Sequence, residues 1–277
     1  MRDDLVNYKI FNKKGRFVLW DKGHFIRDIN VIVGRSFVEI MAKIYLRRIG
    51  LLALFIEPIL LAGIYFLLAL IIFPTTLSSE FFLSIFASLL VFRGFQKPLE
   101  STTVSLVSGS ELIRSGVLTA PQIMFGSWFT EVIMGFMVFP ILLVISLALG
   151  FQVGISFLII PACYALSTLI ALALSPILAW LGIAVRGSVA FLLPIISLLW
   201  YFTPAIYQLS NVGTSFQAIY SFNPLAQVVQ RTKSVYVGTD IDFSLIPLLM
   251  LTFVVLILAM SSVKLFDLFC YRLSKYL

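Results

Sequence analysis

The sequence predicts an all-α, polytopic membrane protein with six transmembrane helices, and two observations predict this class. Of the 277 residues, 60% are hydrophobic and only 12% are charged, more apolar side chain than a soluble domain can bury. Apolar stretches of about 20 residues, long enough to cross a bilayer, also recur along the chain. We place the predicted spans at 51–73, 81–106, 122–149, 155–183, 188–208 and 243–263.

Positive charge is concentrated near the start of the chain. Residues 1–48 hold eleven of the twenty Lys and Arg residues but five carboxylates. Because basic segments stay on the cytosolic side, we expect both termini in the cytosol and the protein in the cytoplasmic (inner) membrane. The net charge of +7 then reflects topology and attraction to anionic lipid, and we expect no nucleic-acid binding.

Four regions follow one another along the chain. Residues 1–30 are polar and aperiodic and form a predicted cytosolic N-terminal arm. Residues 31–48 form a predicted amphipathic interfacial helix. The six-helix transmembrane domain covers 49–265, and 266–277 form a cytosolic C-terminal tail.

The amphipathic helix at 31–48 is predicted from charges that recur every four residues. These charges are Arg35, Glu39, Lys43 and Arg47. At 100° per residue they form one stripe opposite an apolar face, and Glu39 can pair with residues on either side. The pattern suits a helix in the cytosolic membrane interface. The alternative is a helix that packs on a soluble partner or on the chain itself.

The first, third and fourth spans contain residues that are unusual inside a membrane helix. Glu57, followed by Pro58, must reach the interface or find a partner. The third span opens at Pro121. The fourth carries Pro161 and Pro176, which should bend it where a neighbouring helix satisfies the freed carbonyls.

The second span carries a charged face. Arg93, Lys97 and Glu100 are four and three residues apart, so they lie within about 60° of each other on a helix. Arg93 lies about 18 Å along the axis from Phe81, near or just inside the membrane midplane. A charge facing lipid there costs at least about 2.5 kcal/mol, so we expect this face to contact protein or water.

Two interpretations of the charged face remain open. In the first, Glu100 neutralises Lys97. Arg93 then pairs with Glu57 or Glu131 of a neighbouring helix, and the set only fixes packing. In the second, the face lines a water-filled substrate channel, where Arg93 and Lys97 meet an anionic substrate or a lipid-linked phosphate.

The segment after the fifth span combines aromatic residues with a helix start. The aromatic residues are expected at the outer membrane face, where such rings favour the headgroup layer; they include Trp200, Tyr201, Phe202 and Tyr207. Asn223 is a good N-cap, Pro224 suits the first helical position and Gly238 can end the helix. A short outer amphipathic or re-entrant helix is therefore predicted before the last span.

Catalytic and metal-binding motifs are absent from the sequence. The single histidine, His24, has no neighbouring ligands, and no zinc, metalloprotease or P-loop motif occurs. Cys163 and Cys270 fall in different parts of the fold, so no disulfide is expected. We expect a non-enzyme that binds no metal or cofactor itself, and a transporter of this sequence would use ATP on another subunit.

Four motifs in a fixed order carry a family resemblance. They are YLRRIGLLALFIEP at 45–58, SELIRSGVLTAPQIMFGSWFTEVI at 110–133, LGIAVRGSVAFLLPIISLLWYFTPAIY at 181–207 and YSFNPLAQVVQRTKSVYVG at 220–238. Together they resemble the ABC-2-type permease subunits of ABC exporters, most of all those for capsular polysaccharide. The likeness covers about 31–265. One departure is that Arg186 is followed by Gly187, where the family often has aspartate.

The resemblance implies partners and a substrate. It implies a homodimer in the membrane lipid, bound to two ATP-binding-cassette subunits that hold ATP and Mg²⁺ and drive export of a lipid-linked polysaccharide. O-antigen or teichoic-acid export fits the same features. A membrane-embedded enzyme of glycan or lipid assembly is a further alternative, and a proton- or ion-coupled carrier is a third class.

The resemblance also implies roles for segments. The helix at 31–48 would be a gate or interface element. The outer aromatic region would close the channel, so Trp200, Tyr201, Phe202 and Tyr207 are candidate channel residues whose rings could stack on sugars. The alternative is that these rings form the ordinary interfacial belt. The coupling helix that contacts the ATPase would comprise Ser110, Glu111, Leu112, Ile113 and Arg114.

Overall fold

The regular secondary structure in the described part of the protein is helical. A computed structural model describes residues 25–45, 50–72, 78–207, 220 and 223–237, together with helical positions 253, 255, 257 and 258. No strand occurs in these ranges, which confirms the predicted all-α class.

The described helices define the labels used below. In chain order they are α1 (Phe25–Tyr45), α2 (Gly50–Ile72), α3 (Ser79–Ser108), α4 (Ser110–Arg114), α5 (Ala120–Phe136), α6 (Phe139–Ala148), α7 (Ile159–Ala184), α8 (Ser188–Leu198) and α9 (Pro224–Val237).

Within the described ranges, four helical stretches are long and apolar enough to cross a membrane. These are Leu54–Ile72, Ser79–Ser108, Ala120–Ala148 and Ile155–Ala184. The chain is therefore a membrane-embedded, multi-pass protein.

The central helix of the bundle is α3. It packs against α2, α5, α7, α8 and α9, and most of its length is buried. Its buried hydroxyl groups are satisfied within the helix: Ser84, Ser88 and Thr103 each donate to a carbonyl three or four residues earlier. A helix with polar side chains can therefore be buried without unpaired donors.

Two glycines let α7 pack closely against α3 and α5. A Cβ atom at Gly94 of α3 would stand 2.6 Å from ring carbons of Tyr164 on α7. At Gly135 of α5 an added Cβ would overlap the Tyr164 hydroxyl. That hydroxyl donates to the carbonyl of Val132 at 3.0 Å, so one tyrosine sets the spacing of three helices.

The predicted start of the third span is confirmed and its continuity is not. Thr119 and Gln122 form a capping box at the start of α5, next to Pro121 as expected. However, the predicted span 122–149 is interrupted between α5 and α6. Pro140 has no N–H to donate to the carbonyl of Phe136, which explains the break.

The predicted fifth span, 188–208, is wrong as a continuous helix. α8 has eleven residues, about 16 Å, roughly half the hydrocarbon thickness of a bilayer. Residues 199–207 form successive turns. The Trp200 ring lies 5.0 Å from that of Phe92, so these turns lie near the middle of α3 and not at the outer membrane face expected for the aromatic residues.

A helix begins after Asn223, and its predicted place on the outer side of the membrane stays a prediction. The Asn223 side-chain oxygen accepts hydrogen bonds from the N–H groups of Leu225 and Ala226 at 3.0 and 3.4 Å. α9 packs against α3 and α7, and its apolar side, including Val228 and Val229, is buried. It therefore belongs to the bundle core.

The helix predicted at 31–48 begins earlier, at Phe25. Asp28 lies in its first turn, where a negative charge favours the helix N-terminus. This aspartate also accepts a hydrogen bond from Gln122 of α5 at 2.9 Å, which extends the contact between the two helices. Both interactions stabilise a start within the predicted arm.

Several predictions lie outside the described residues. They concern the arm at 1–24 with His24, Arg47, Gly238, the last span at 243–263 apart from the four helical positions, Cys270 and the tail at 266–277.

Candidate functional site

The charged face of α3 is paired with carboxylates. Arg93 makes a salt bridge and a hydrogen bond with Glu57 of α2. The Nζ atom of Lys97 lies 3.5 Å from a carboxylate oxygen of Glu100, one turn further along α3. The structure thus shows the ion pairs expected if the charged face fixes helix packing: Glu100 pairs with Lys97, and Glu57 pairs with Arg93.

Glu100 is held by α8 as well as by its own helix. Gln96 donates to the Glu100 carboxylate at 2.7 Å, and the Ser197 hydroxyl of α8 donates to the same oxygen at 3.1 Å. Gln96 also donates to Ser197 at 3.1 Å. This triangle fixes α8 against the charged face.

A second set of ion pairs joins α1 to α5. Lys43 forms a salt bridge and a hydrogen bond with Glu131 of α5, and its Nζ atom lies 3.3 Å from Glu39. Burial alone would lower the pKa of Lys43, but the charges and hydrogen bonds of Glu131 and Glu39 outweigh burial and raise it. Arg35 lies 4.0 Å from Glu39 on the other side; burial lowers the pKa of Arg35, and Glu39 partly offsets that effect.

The charged stripe of α1 faces the bundle, and several of its apolar side chains are exposed. Ser36 donates to the carbonyl of Gly126 at 2.9 Å, between the Asp28 contact and the Lys43 contact with α5. The three contacts follow the same order along both helices, so α1 and α5 run parallel. α1 therefore packs on the chain itself, which is the alternative given above for this helix. Phe37 and Val38 are 60% and 68% exposed, and such a surface suits contact with lipid.

An open groove lies between α2, α3 and α8. Its volume is about 510 Å³, and α3 contributes its floor. The lining combines ion pairs, amide and hydroxyl groups and aromatic rings, from Glu57, Arg93, Lys97, Gln96, Ser197, Tyr65, Trp200 and Tyr201.

Two smaller cavities adjoin this groove. One, of about 180 Å³, is lined from α2, α3 and α5 and shares Glu57, Arg93 and Lys97 with the groove. The other, of about 380 Å³, lies between α1, α3 and α5 and shares Lys97 and Glu131 with the first cavity. We call the groove and the two cavities together the polar tract.

The predicted aromatic channel residues do not form one cluster. Trp200 is buried, with its ring centroid 5.0 Å from both Tyr65 and Phe92. Tyr201 lines the groove, whereas Phe202 is exposed outside its lining.

Tyr207 lies away from the groove lining and contacts a second tyrosine. Its hydroxyl is 2.6 Å from that of Tyr220. Of the predicted aromatic residues, the structure therefore brings Trp200 and Tyr201 to the charged face.

Lys233 of α9 holds the turns at 199–207. Its ammonium group is buried and donates to the carbonyls of Pro204 and Tyr207 at 3.1 and 2.8 Å. No carboxylate pairs with it among the residues that the structure describes. The ammonium group donates hydrogen bonds to two carbonyls that have no helical N–H partner, because the backbone here forms turns.

The five predicted coupling residues form α4, a short helix between α3 and α5. Glu111, Leu112 and Arg114 are exposed, and Arg114 lies 3.9 Å from Glu111. α4 is at the opposite end of α3 from Ser79. None of its residues lines the polar tract, which ends two residues before it at Ser108.

Some groove residues were not singled out from the sequence, although spacing could have found two of them. Gln96 is three residues after Arg93 and so lies on the charged face. Tyr65 follows Glu57 by eight residues, about two turns of helix, so the two side chains lie on nearby parts of the surface of α2. Ser197 and Lys233 depend on how distant segments pack, and no local signal marks them.

Neither a metal site nor a known relative defines the function. No group of His, Cys, Asp and Glu residues that could hold a metal occurs in the described ranges. No family model matches the chain, and no curated protein matches it.

Proposed function

We propose that the chain is the membrane-spanning subunit of an ABC exporter of the ABC-2 type. It moves a lipid-linked surface polysaccharide, most closely a capsular polysaccharide, across the cytoplasmic membrane. Two copies of the chain form the passage, and two separate ATP-binding-cassette subunits hydrolyse ATP.

One observation carries the proposal: the charged face of α3 around Arg93, which lines the polar tract, lies near the middle of a helix long enough to cross a membrane. Arg93 is fourteen residues from Ser79 on α3, about 21 Å along the axis and within a hydrocarbon core of about 30 Å. The turns at 199–207 lie at a similar height. Charges facing lipid are costly, and non-helical backbone at this depth is tolerated where it is buried or lines a water-filled cavity. Both features support a wet passage along α3.

The exposure of the groove supports a homodimer. The side chains of Glu57 and Lys97 are 48% and 43% exposed. A second copy, facing the first across the groove, would cover these charges and enclose a passage between two α3 helices. A single copy would leave them against lipid.

The position of α4 supports coupling to a separate ATPase. It is a five-residue helix at one end of the central helix, and its exposed side chains offer charge and an apolar anchor at Leu112. Movement of α4 would be transmitted directly to α3 and α5. In this proposal α1, bound to α5 through Lys43, is the gate or interface element.

The proposal needs six crossings with both termini in the cytosol. Four are the apolar stretches described above. α8 with the turns at 199–207 enters the membrane and, followed by α9, takes the place of the simple fifth span. The sixth falls at 243–263.

Copurification and crosslinking test the proposal. The tagged full chain, carrying a photo-crosslinking amino acid at Glu111, is purified from the membranes of its own host. We expect an ATP-binding-cassette subunit to copurify and to crosslink at Glu111. The same probe at Gln152, in the loop after α6, is the matched control and should give no such product.

Two results would overturn the proposal. One is an active, purified assembly without an ATPase. The other is turnover of a glycan or lipid substrate by the chain alone, which favours the enzyme of glycan or lipid assembly.

A further inference from the structure

The charges that line the polar tract sum to zero. Its described lining contains four cations and four carboxylates and no further charged residue. They are Arg35, Lys43, Arg93, Lys97, Glu39, Glu57, Glu100 and Glu131.

Every one of these cations already has a carboxylate partner. Arg93 pairs with Glu57 and Lys97 with Glu100. At the α1 end of the tract, Glu39 pairs with both Arg35 and Lys43. Lys43 also pairs with Glu131, so these four residues form one connected set. Arg35 is an exception in its hydrogen bonding, because its buried Nη1 atom has no hydrogen-bond partner in the described ranges. At Lys43 and Arg93 an anionic ligand would have to displace a carboxylate that is fixed to a helix.

Displacing a carboxylate is unfavourable in this setting. The side chain of Arg93 is only 15% exposed, whereas that of Glu57 is 48% exposed, so solvent screens their attraction in part and the guanidinium group depends on this partner. If a sulfate or carboxylate of a ligand took the place of Glu57, that glutamate would remain beside the ligand as an unpaired like charge. A polyanion would meet this cost at each pair along the tract.

The rest of the lining suits uncharged hydroxyl groups. Serine hydroxyls lie along the α1 end of the tract, from Ser101, Ser105, Ser108 and Ser127. Gln96, Ser197 and the rings of Tyr65 and Tyr201 lie in the groove. Such groups exchange hydrogen bonds with sugar hydroxyls and stack on sugar rings without a change of charge.

We propose that the polymer segment that passes along the polar tract is an uncharged glycan, because the ion pairs of the tract exclude polyanions. The inference rests on the proposed export function and narrows its substrate class. It also replaces the expectation that Arg93 and Lys97 hold an anionic part of the substrate.

Binding to the full chain in nanodiscs tests the inference. The probes are a maltooligosaccharide and its sulfated derivative of the same length, and tryptophan fluorescence reports binding because Trp200 lines the groove. We expect the neutral probe to bind at least about tenfold more tightly. Equal or tighter binding of the sulfated probe would overturn the inference and leave the export function standing. If neither probe binds, both proposals fail.

Charge variants make the test specific to the ion pairs. Glu57→Gln leaves Arg93 unpaired and should tighten binding of the sulfated probe about tenfold. Glu57→Gln combined with Arg93→Gln restores neutrality and should restore the preference for the neutral probe. Glu80→Gln, which removes an exposed carboxylate outside the tract, is the matched control and should change neither affinity.

An unchanged affinity of Glu57→Gln for the sulfated probe would overturn the inference. If that variant fails to fold, the comparison of the two probes on the unmodified chain decides it.

Discussion

At the scale of single residues, the absence of a side chain at Gly94 fixes the position of the charged face. Tyr164 fills the space that a Cβ atom would need, and it is itself almost completely buried. Arg93 immediately precedes Gly94 on α3. Any movement of α3 away from α7 would therefore also move Arg93 relative to Glu57.

We predict that Gly94→Ala lowers the free energy of unfolding by about 1 to 3 kcal/mol. The new methyl group would meet ring carbons of Tyr164 at 2.6 Å, and the helix preference of alanine, about 1 kcal/mol, is too small to offset the clash. Thermal unfolding in detergent measures the change. Gly63→Ala on α2, where no atom lies within 4 Å, is the matched control. Equal stability of the two variants would contradict the prediction.

Lys233 predicts a loss of stability when its ammonium group is removed. Lys233→Met would leave the carbonyls of Pro204 and Tyr207 without the donors that they have in the folded protein. The unfolding free energy should then fall by about 1 to 3 kcal/mol.

Thermal unfolding in detergent measures the change. Lys233→Arg keeps a cation with several donors and should lose less stability than Lys233→Met. An unchanged unfolding free energy for Lys233→Met would show that the ammonium group does not hold the turns.

The charged face of α3 was predictable from the sequence, but its partners were not. Spacing alone places Arg93, Lys97 and Glu100 on one side of a helix, whatever surrounds it. The choice between Glu57 and Glu131 as partner of Arg93 depends on the rotation and height of α2 and α5. In the structure Glu131 pairs with Lys43, a residue that the sequence placed in an interfacial helix.

At the scale of elements, helix starts were easier to predict than helix continuity. Pro121 and Asn223 mark starts because their chemistry is local to the first turn. The interruption between α5 and α6 and the early end of α8 lie in apolar sequence, where hydropathy does not distinguish helix from buried turn. Lys233, distant in sequence, satisfies the carbonyls of that turn.

The docking of α1 gives a prediction at this scale. Lys43→Met removes the ion pair with Glu131, at a cost of about 1 to 2 kcal/mol. We expect backbone hydrogen exchange in the second half of α1 to become roughly 5- to 30-fold faster. The first half stays protected by the contacts of Asp28 and Ser36 with α5.

Hydrogen exchange with mass spectrometry resolves the two halves of α1. Arg186→Met, in the exposed turn between α7 and α8, is the control because it removes a cation outside the contacts of α1 with α5. Uniform protection of α1 in the Lys43→Met variant would show that the ion pair does not hold this helix.

At the scale of the whole molecule, membrane topology is the prediction. Val117, after α4, and Gln152, after α6, are exposed and flank the stretch Ala120–Ala148. That stretch is about 44 Å long, so the two positions should lie on opposite sides of the membrane.

An impermeant maleimide tests the topology in intact cells. In a chain with Cys270→Ser, where Cys163 is buried, Gln152→Cys should react from outside. Val117→Cys should react only after the membrane is permeabilised. Reaction of both from the same side would refute a crossing by α5 and α6.

The helices α2 and α3 match the bilayer differently. The apolar stretch of α2, Leu54–Ile72, is about 28 Å long and mostly exposed, whereas α3 is about 45 Å long and mostly shielded by other helices. Hydrophobic mismatch with longer or shorter lipid acyl chains therefore acts on α2. Since α2 supplies Glu57 and α3 supplies Arg93, lipid composition can slide one wall of the groove along the other.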